Sequence, residues 1–198
     1  MKPIMAIDVD GVLVDFTKPA LEYINAHGRS KTVDQVTEFS VFDGDEDLEE
    51  AYKRDVVSQP GFCRSMEAYP GAVEFVRAVQ KKYDVVIVMA PYDVPHWYEG
   101  RRDWLVEELG ISTKNICFLS RKEFFDADVL IDDKMENVVG WYEQRSERTG
   151  TDLEPLPILV DQPWNQGWIP FGVHRSTSWT DISAMLGEHG FPRFRGKF

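Results

Sequence analysis

The sequence predicts an α/β fold: a doubly wound parallel sheet with a small, mainly helical cap inserted after the first strand. Three observations carry this. Short apolar runs end in polar residues, stretches of helical spacing separate them, and one long stretch near the amino terminus has no strand pattern. In order, Ile4–Ile7 stops at Asp8, Val85–Met89 at Ala90-Pro91 and Ile116–Leu119 at Ser120-Arg121. Val129–Ile131 then stops at Asp132-Asp133, and Leu156–Val160 at Asp161. Runs of this length, rich in Val and Ile and apolar on both faces, read as buried parallel strands. Val73–Lys82 sets Val73, Phe75, Val76 and Val79 at helical spacing after Pro70-Gly71. His96–Leu109 does the same with Trp97, Trp104, Leu105 and Leu109, and Gly110 supplies a stop.

From Phe16 to about Ala72 only helical pieces and loops appear, one around Leu21, Ile24 and Asn25 and one over Leu48–Val57. Such a stretch is too long for a plain loop in a compact domain. Residues 17–72 are therefore assigned to the cap, and 1–16 with 73–198 to the core. The run Asp43-Gly44-Asp45-Glu46-Asp47 fails as a calcium loop, because Leu48 stands where the turn glycine belongs and Arg54 where the bidentate Glu belongs. It reads as a solvated acidic face of the cap. The basic, aromatic end from Pro192 to Phe198 reads as a frayed or docked tail.

The chain has 198 residues, with 22 Lys and Arg against 34 Asp and Glu, for a net charge of −12. That balance argues against a nucleic acid polymer or a membrane surface as partner, since both repel an acidic chain. Hydrophobic residues at 43% supply enough apolar area to exclude a disordered chain. The apolar runs are too short to span a bilayer, and the amino terminus lacks a secretory pattern. A cytoplasmic location is expected, with Cys63 and Cys117 as buried thiols rather than a disulfide.

The sharpest feature is Asp8-Val9-Asp10-Gly11-Val12-Leu13-Val14-Asp15-Phe16, directly after the first strand. Alternation puts Asp8 and Asp10 on one side at the strand's carboxyl end, where open α/β sheets bind ligands. Carboxylates that close need a cation between them or a proton on one. Asp132-Asp133 ends another strand. Alone it could cap the helix that follows; with Asp8 and Asp10 it makes a set of hard oxygen ligands suited to Mg²⁺. Lys122, ten residues upstream of Asp132, can reach the same edge and balance a bound phosphoryl group.

These motifs resemble the haloacid dehalogenase (HAD) superfamily of phosphatases. The version of the first motif with Phe16 after Asp15 is similar to that of its 5′(3′)-deoxyribonucleotidases. Leu119-Ser120-Arg121-Lys122 and Leu130-Ile131-Asp132-Asp133-Lys134 resemble the third and fourth motifs. Pro60-Gly61-Phe62 followed by Pro70-Gly71-Ala72-Val73-Glu74 resembles the return from cap to core. Gln162-Pro163-Trp164-Asn165, with Arg175 and Trp179, resembles the carboxyl-terminal segment. The resemblance implies a HAD-like Rossmannoid core and a Mg²⁺-dependent phosphomonoesterase that turns (deoxy)nucleoside monophosphates into nucleoside and phosphate. Asp8 would be the nucleophile and Asp10 the general acid and base. Lys122 would orient Asp8 and offset phosphoryl charge. Mg²⁺ would be held by Asp8, the Asp10 backbone carbonyl and Asp133, with Asp132 in support. Phe16, Phe39 and Phe42 would pack the nucleoside, though the two cap residues serve equally as cap core.

One position departs from the family. The second motif usually ends its strand with Thr or Ser, whose hydroxyl binds a phosphate oxygen; this chain has Met89-Ala90-Pro91. Ala90 is left to meet the phosphate through backbone N–H groups. Two alternatives follow: a HAD phosphatase for another small phosphate ester, and a catalytically weakened phosphate-binding module. The partner expected is a small nucleotide, and a homodimer is compatible with the sequence.

Overall fold

In a computed structural model, which describes residues 2–146 and 154–194, the apolar runs form a six-stranded parallel sheet. The strands are β1 (Ile4–Ile7), β2 (Asp84–Met89), β3 (Ile116–Phe118), β4 (Val129–Asp132), β5 (Leu156–Val160) and β6 (His174–Ser176). Their order is β3-β2-β1-β4-β5-β6. The sheet is the doubly wound α/β core that the sequence predicts. After β3 the chain returns to the far side of β1, so the crevice between β1 and β4 is the topological switch point. Ile7 pairs with Ile87 on one side and Ile131 on the other, which brings the residues after β1 and β4 to one sheet edge.

The central strands form where expected because both faces of Met5–Ile7, Ile87–Met89 and Val129–Ile131 are buried. β3 stops one residue short of the apolar run, at Phe118. β6 has no apolar signal, since His174-Arg175-Ser176 is an edge strand defined by its pairing with β5. The flanking helices are α4 (Ala72–Val79), α5 (Trp97–Leu109), α6 (Met135–Ser146) and α7 (Trp179–Glu188), the last capped by Ser178, which accepts from Asp181 N at 3.2 Å. α4 is shorter than its apolar pattern, and Gln80–Tyr83 leave it through tight turns toward β2.

Among the described residues, 17–71 contain helices and loops but no strand: α1 (Thr17–Ala26), α2 (Glu46–Tyr52) and α3 (Phe62–Ser65). The expected helix over Leu48–Val57 is α2 running into one π-helical turn at Lys53–Val57. The acidic run is more than a solvated face. Asp45 caps α2 by accepting from Leu48 N at 3.1 Å, and Asp43 pairs with Lys31 at 2.5 Å. Val36, Phe42, Tyr52, Phe62 and Met66 join the same buried cluster as β1 and β2, so this segment packs directly onto the sheet layer.

Cys63 is buried but Cys117 is only half-buried, and both are free thiols. At the carboxyl end Phe194 is buried, and its carbonyl accepts from Ser183 Oγ at 2.7 Å. That part of the tail is docked; residues 195–198 lie outside the described residues. No described helix is long and apolar enough to cross a membrane.

Candidate active site

Asp8 leaves β1 with its N–H donating to Ile131 of β4 at 2.9 Å, which fixes it at the switch point. The chain then turns tightly through Val9–Val14, with Gly11 at φ +75°. A side chain at Gly11 would place its Cβ 2.2 Å from Asp133 Oδ2, so only glycine lets the β1 loop and the β4 end close together.

Lys122 begins a 3₁₀ turn (Lys122–Phe124) after β3 and is buried. Its Nζ donates to Asp8 Oδ2 at 2.7 Å and Asp132 Oδ2 at 2.5 Å. The neighbouring Arg121 points away to Glu123 and the Phe124 ring. Asp132 is fully engaged: Oδ1 accepts from Lys134 N at 2.8 Å, and Asn137 Nδ2 lies 3.2 Å from both oxygens. Its side chain thus caps the turn into α6 and holds Lys122 at once. Asp133 is held from the carboxyl-terminal segment. Trp164 Nε1 donates to its Oδ2 at 2.9 Å and Asn165 Nδ2 to its carbonyl at 2.8 Å. Gln162 Nε2 ties the same segment to the Gly11 carbonyl at 2.6 Å.

Asp8, Asp132 and Asp133 each place a carboxylate oxygen within 4.8 Å of the others. Burial pushes the Asp8 pKa up to about 7, with Lys122 pulling it down and Asp132 and Asp10 adding to the rise. Burial, Asp132 and Asp8 likewise hold Asp133 well above the usual carboxylate range. Burial raises Asp10 too, opposed by Arg101 and Lys122. For Lys122, burial works against the ammonium, but Asp132 and Asp8 more than reverse it, so it stays charged. Four carboxylates therefore face two buried cations, Lys122 and Arg101. That excess of negative charge, with Asp8 Oδ1 and Asp133 Oδ1 accepting no hydrogen bond among the described residues, fits a hard divalent cation.

Beside the cluster lies a cavity of about 380 Å³. Asp8, Asp10, Lys122 and Asp133 line it, as do Phe16, Phe39, Phe42 and Ala90. Asp132 sits behind them, fully buried. Phe16 stacks on Tyr92 with centroids 5.4 Å apart, Phe42 is buried, and Phe39 is 55% exposed with Lys134 Nζ over its ring. At the second motif Ala90 faces the cavity while Met89 is buried in the core.

Sequence reasoning missed Tyr92, Asn137 and, above all, Arg101, whose Nη2 donates to Asp10 Oδ1 at 2.6 Å. A signal for Arg101 exists: it lies four residues from Trp97 and Leu105, on the buried stripe of α5. Trp164 and Asn165 were legible as a motif, but their contact with Asp133 spans a separation that no local pattern reveals.

Residues 2–189 match the family model described as 5′ nucleotidase, deoxy (pyrimidine), cytosolic type C protein. A 5′(3′)-deoxyribonucleotidase of Bacillus subtilis is 24% identical over 189 residues, covering 94% of this chain and 99% of that protein. A Staphylococcus epidermidis protein provisionally named for the same activity is 29% identical over 135 residues, 65% of this chain and 73% of its own. In fold, the chain is similar to a haloacid dehalogenase-like hydrolase from Burkholderia xenovorans, with a TM-score of 0.60, 13% identity, and coverage of 96% and 98%. A magnesium-bound HAD hydrolase from Bacillus subtilis gives a TM-score of 0.59 at 15% identity, with coverage of 93% and 98%. The match across nearly the whole chain places it in the deoxy (pyrimidine) 5′-nucleotidase type C family of phosphoric monoester hydrolases, on a HAD-like fold whose switch point carries the carboxylates and the lysine.

Proposed function

We propose that this protein hydrolyses (deoxy)nucleoside monophosphates to nucleoside and phosphate, through an aspartyl-phosphate on Asp8 and with Mg²⁺ at the carboxylate cluster. The observation that carries the reading is the cavity of about 380 Å³ that joins the Asp8–Lys122 pair to walls of Phe16, Phe42, Tyr92 and Trp164. Aromatic walls suit a planar base, and a buried ammonium suits a phosphate dianion. Asp8 attacks phosphorus as the bond to the nucleoside oxygen breaks, and Asp10 gives its proton to that oxygen. Water then attacks the same phosphorus, Asp10 takes the water's proton, and phosphate leaves with Asp8 restored. Lys122 orients Asp8 and offsets charge on the phosphoryl oxygens. Asp8, Asp133 and the Asp10 carbonyl would hold Mg²⁺, with Asp132 fixing Lys122 behind them. Bound there, the ion would neutralise phosphoryl charge. The magnesium of the Bacillus subtilis fold relative supports that choice of ion.

Residues 17–72 serve as the cap that selects the substrate, since Phe39, Phe42 and Glu49 reach the cavity from it. The cytosolic designation of the family supports a cytoplasmic location. A phosphate-release screen over deoxynucleotides, ribonucleotides and sugar phosphates tests the reading. Turnover should be fastest on a nucleoside monophosphate, require Mg²⁺ and be inhibited by Ca²⁺, which recruits extra oxygen ligands. Equal rates in EDTA and in Mg²⁺, or a preference for sugar phosphates, would sink it.

The cavity-facing Ala90 sharpens the second-motif question. A hydrogen bond to a charged group contributes roughly 1.5–3 kcal/mol, so its absence lowers kcat/KM by about ten- to a hundredfold. Ala90→Ser should recover part of this, on the order of tenfold. Met89→Thr should not, because that side chain is buried in the core. If Ala90→Ser gains nothing while folded, another group already meets that phosphate oxygen; Ser120 and Thr17 also line the cavity.

A further inference from the structure

The reaction scheme uses one buried cation and leaves a second unexplained. Arg101 lies on the inward face of α5 with 0% of its side chain exposed. A guanidinium keeps its charge at that depth, so burial is costly unless it is paired. Its Nη2 donates to Asp10 Oδ1 at 2.6 Å and lies 3.2 Å from Met66 Sδ. Its guanidinium carbon sits over the Trp97 ring, 4.6 Å from the centroid. Nε and Nη1 are buried and have no hydrogen-bond partner among the described residues. An arginine retained for packing alone would use its fork in several bonds or give way to an apolar side chain. This one spends its charge on a single carboxylate.

Arg101 does not line the cavity, so it acts through Asp10. The Asp10 carboxyl has no other hydrogen-bond partner among the described residues, and the turn after it fixes its backbone but not its side chain. We propose that Arg101 is the positioning residue for Asp10: it anchors Oδ1, leaving Oδ2 as the oxygen that carries the proton to the leaving group. The proposal rests on the reading of Asp10 as general acid and base. In the first step Oδ2 gives its proton to the nucleoside oxygen as the O–P bond breaks and the Asp8–phosphorus bond forms. Asp10 is then a carboxylate beside Arg101. In the second step the proton of the attacking water returns to Oδ2 as the Asp8–phosphorus bond breaks.

A purely structural role and a positioning role separate by leaving group. A nucleoside alkoxide needs a proton to depart; p-nitrophenolate does not. Arg101→Gln should therefore lower kcat/KM on a nucleoside monophosphate by about a hundredfold, and on p-nitrophenyl phosphate by less than about threefold. Both substrates are assayed on the same sample, so the folded fraction cancels in the ratio. Arg101→Met, which fills the same volume without a charge, carries the comparison if Arg101→Gln does not fold, and Arg101→Lys should restore most of the ratio. Equal losses on the two substrates overturn the proposal. Asp10→Asn is the control: a selective loss there with a uniform loss at Arg101 leaves Asp10 as the acid and removes Arg101 from the mechanism. A uniform loss in Asp10→Asn refutes the acid–base reading itself.

Discussion

Asp8→Asn should lower phosphate release from a nucleoside monophosphate by about 10⁴-fold or more while the protein remains folded. The amide is nearly isosteric and can still meet Lys122, but it has no lone pair basic enough to attack phosphorus. The same substitution should change how stability depends on pH. In the fold Asp8 has a pKa of about 7 against 3.8 for an ordinary Asp, so the native state keeps a proton that the unfolded chain has lost. Between those two values the unfolded state binds fewer protons, so stability falls as pH rises. In EDTA, the melting temperature should therefore drop less between about pH 5 and about pH 8 in Asp8→Asn than in the parent. Dead but unchanged in slope would mean that Asp8 is not the strained carboxylate of the site. Substantial turnover by a clean, folded sample would remove it as nucleophile.

Both effects come from one placement. The first strand is apolar on both faces and must be central; the next polar residue must then emerge at its carboxyl end, beside the end of β4. That much is legible in the sequence, because Ile4–Ile7, Val129–Ile131 and the aspartates after them are contiguous patterns. Lys122 is legible for the same reason, one short step beyond a strand. What is not legible depends on contacts between distant segments. β6 is polar and exists through its partner β5. Asn165 matters because its amide bridges the Asp133 and Val160 carbonyls, at 2.8 and 2.7 Å. Arg101 stands in a charged helix, and only its spacing from Trp97 and Leu105 marks it as buried. The second motif is the opposite case: the departure at Met89-Ala90 is plain in the sequence, but which residue faces the phosphate is decided by the fold.

Lys122→Met should be the most informative single change, because it separates stability from chemistry. The ammonium is buried between Asp8 and Asp132, and removing it leaves two buried carboxylates without a cation. Breaking a buried pair in this way costs roughly 3–5 kcal/mol. Asp8 responds by taking up a proton more readily, since the attraction of Lys122, which holds its pKa down, is gone. A carboxylate whose native pKa is raised favours the fold while it is protonated, and that stability is lost as pH rises through the native value. In EDTA the variant should thus be closest to the parent near pH 5 and most destabilised near pH 8. Adding Asp132→Asn removes the other partner and should restore much of the stability, because a pair deleted together leaves less unpaired charge. It should not restore turnover. Loss of this buried ammonium beside the phosphoryl group removes a positioned donor, expected to lower kcat by about 10²–10³-fold. Phosphate release and thermal melts of the single and double variants check both halves. If the double variant recovers activity along with stability, Lys122 serves the fold alone and the phosphate must find its positive charge elsewhere.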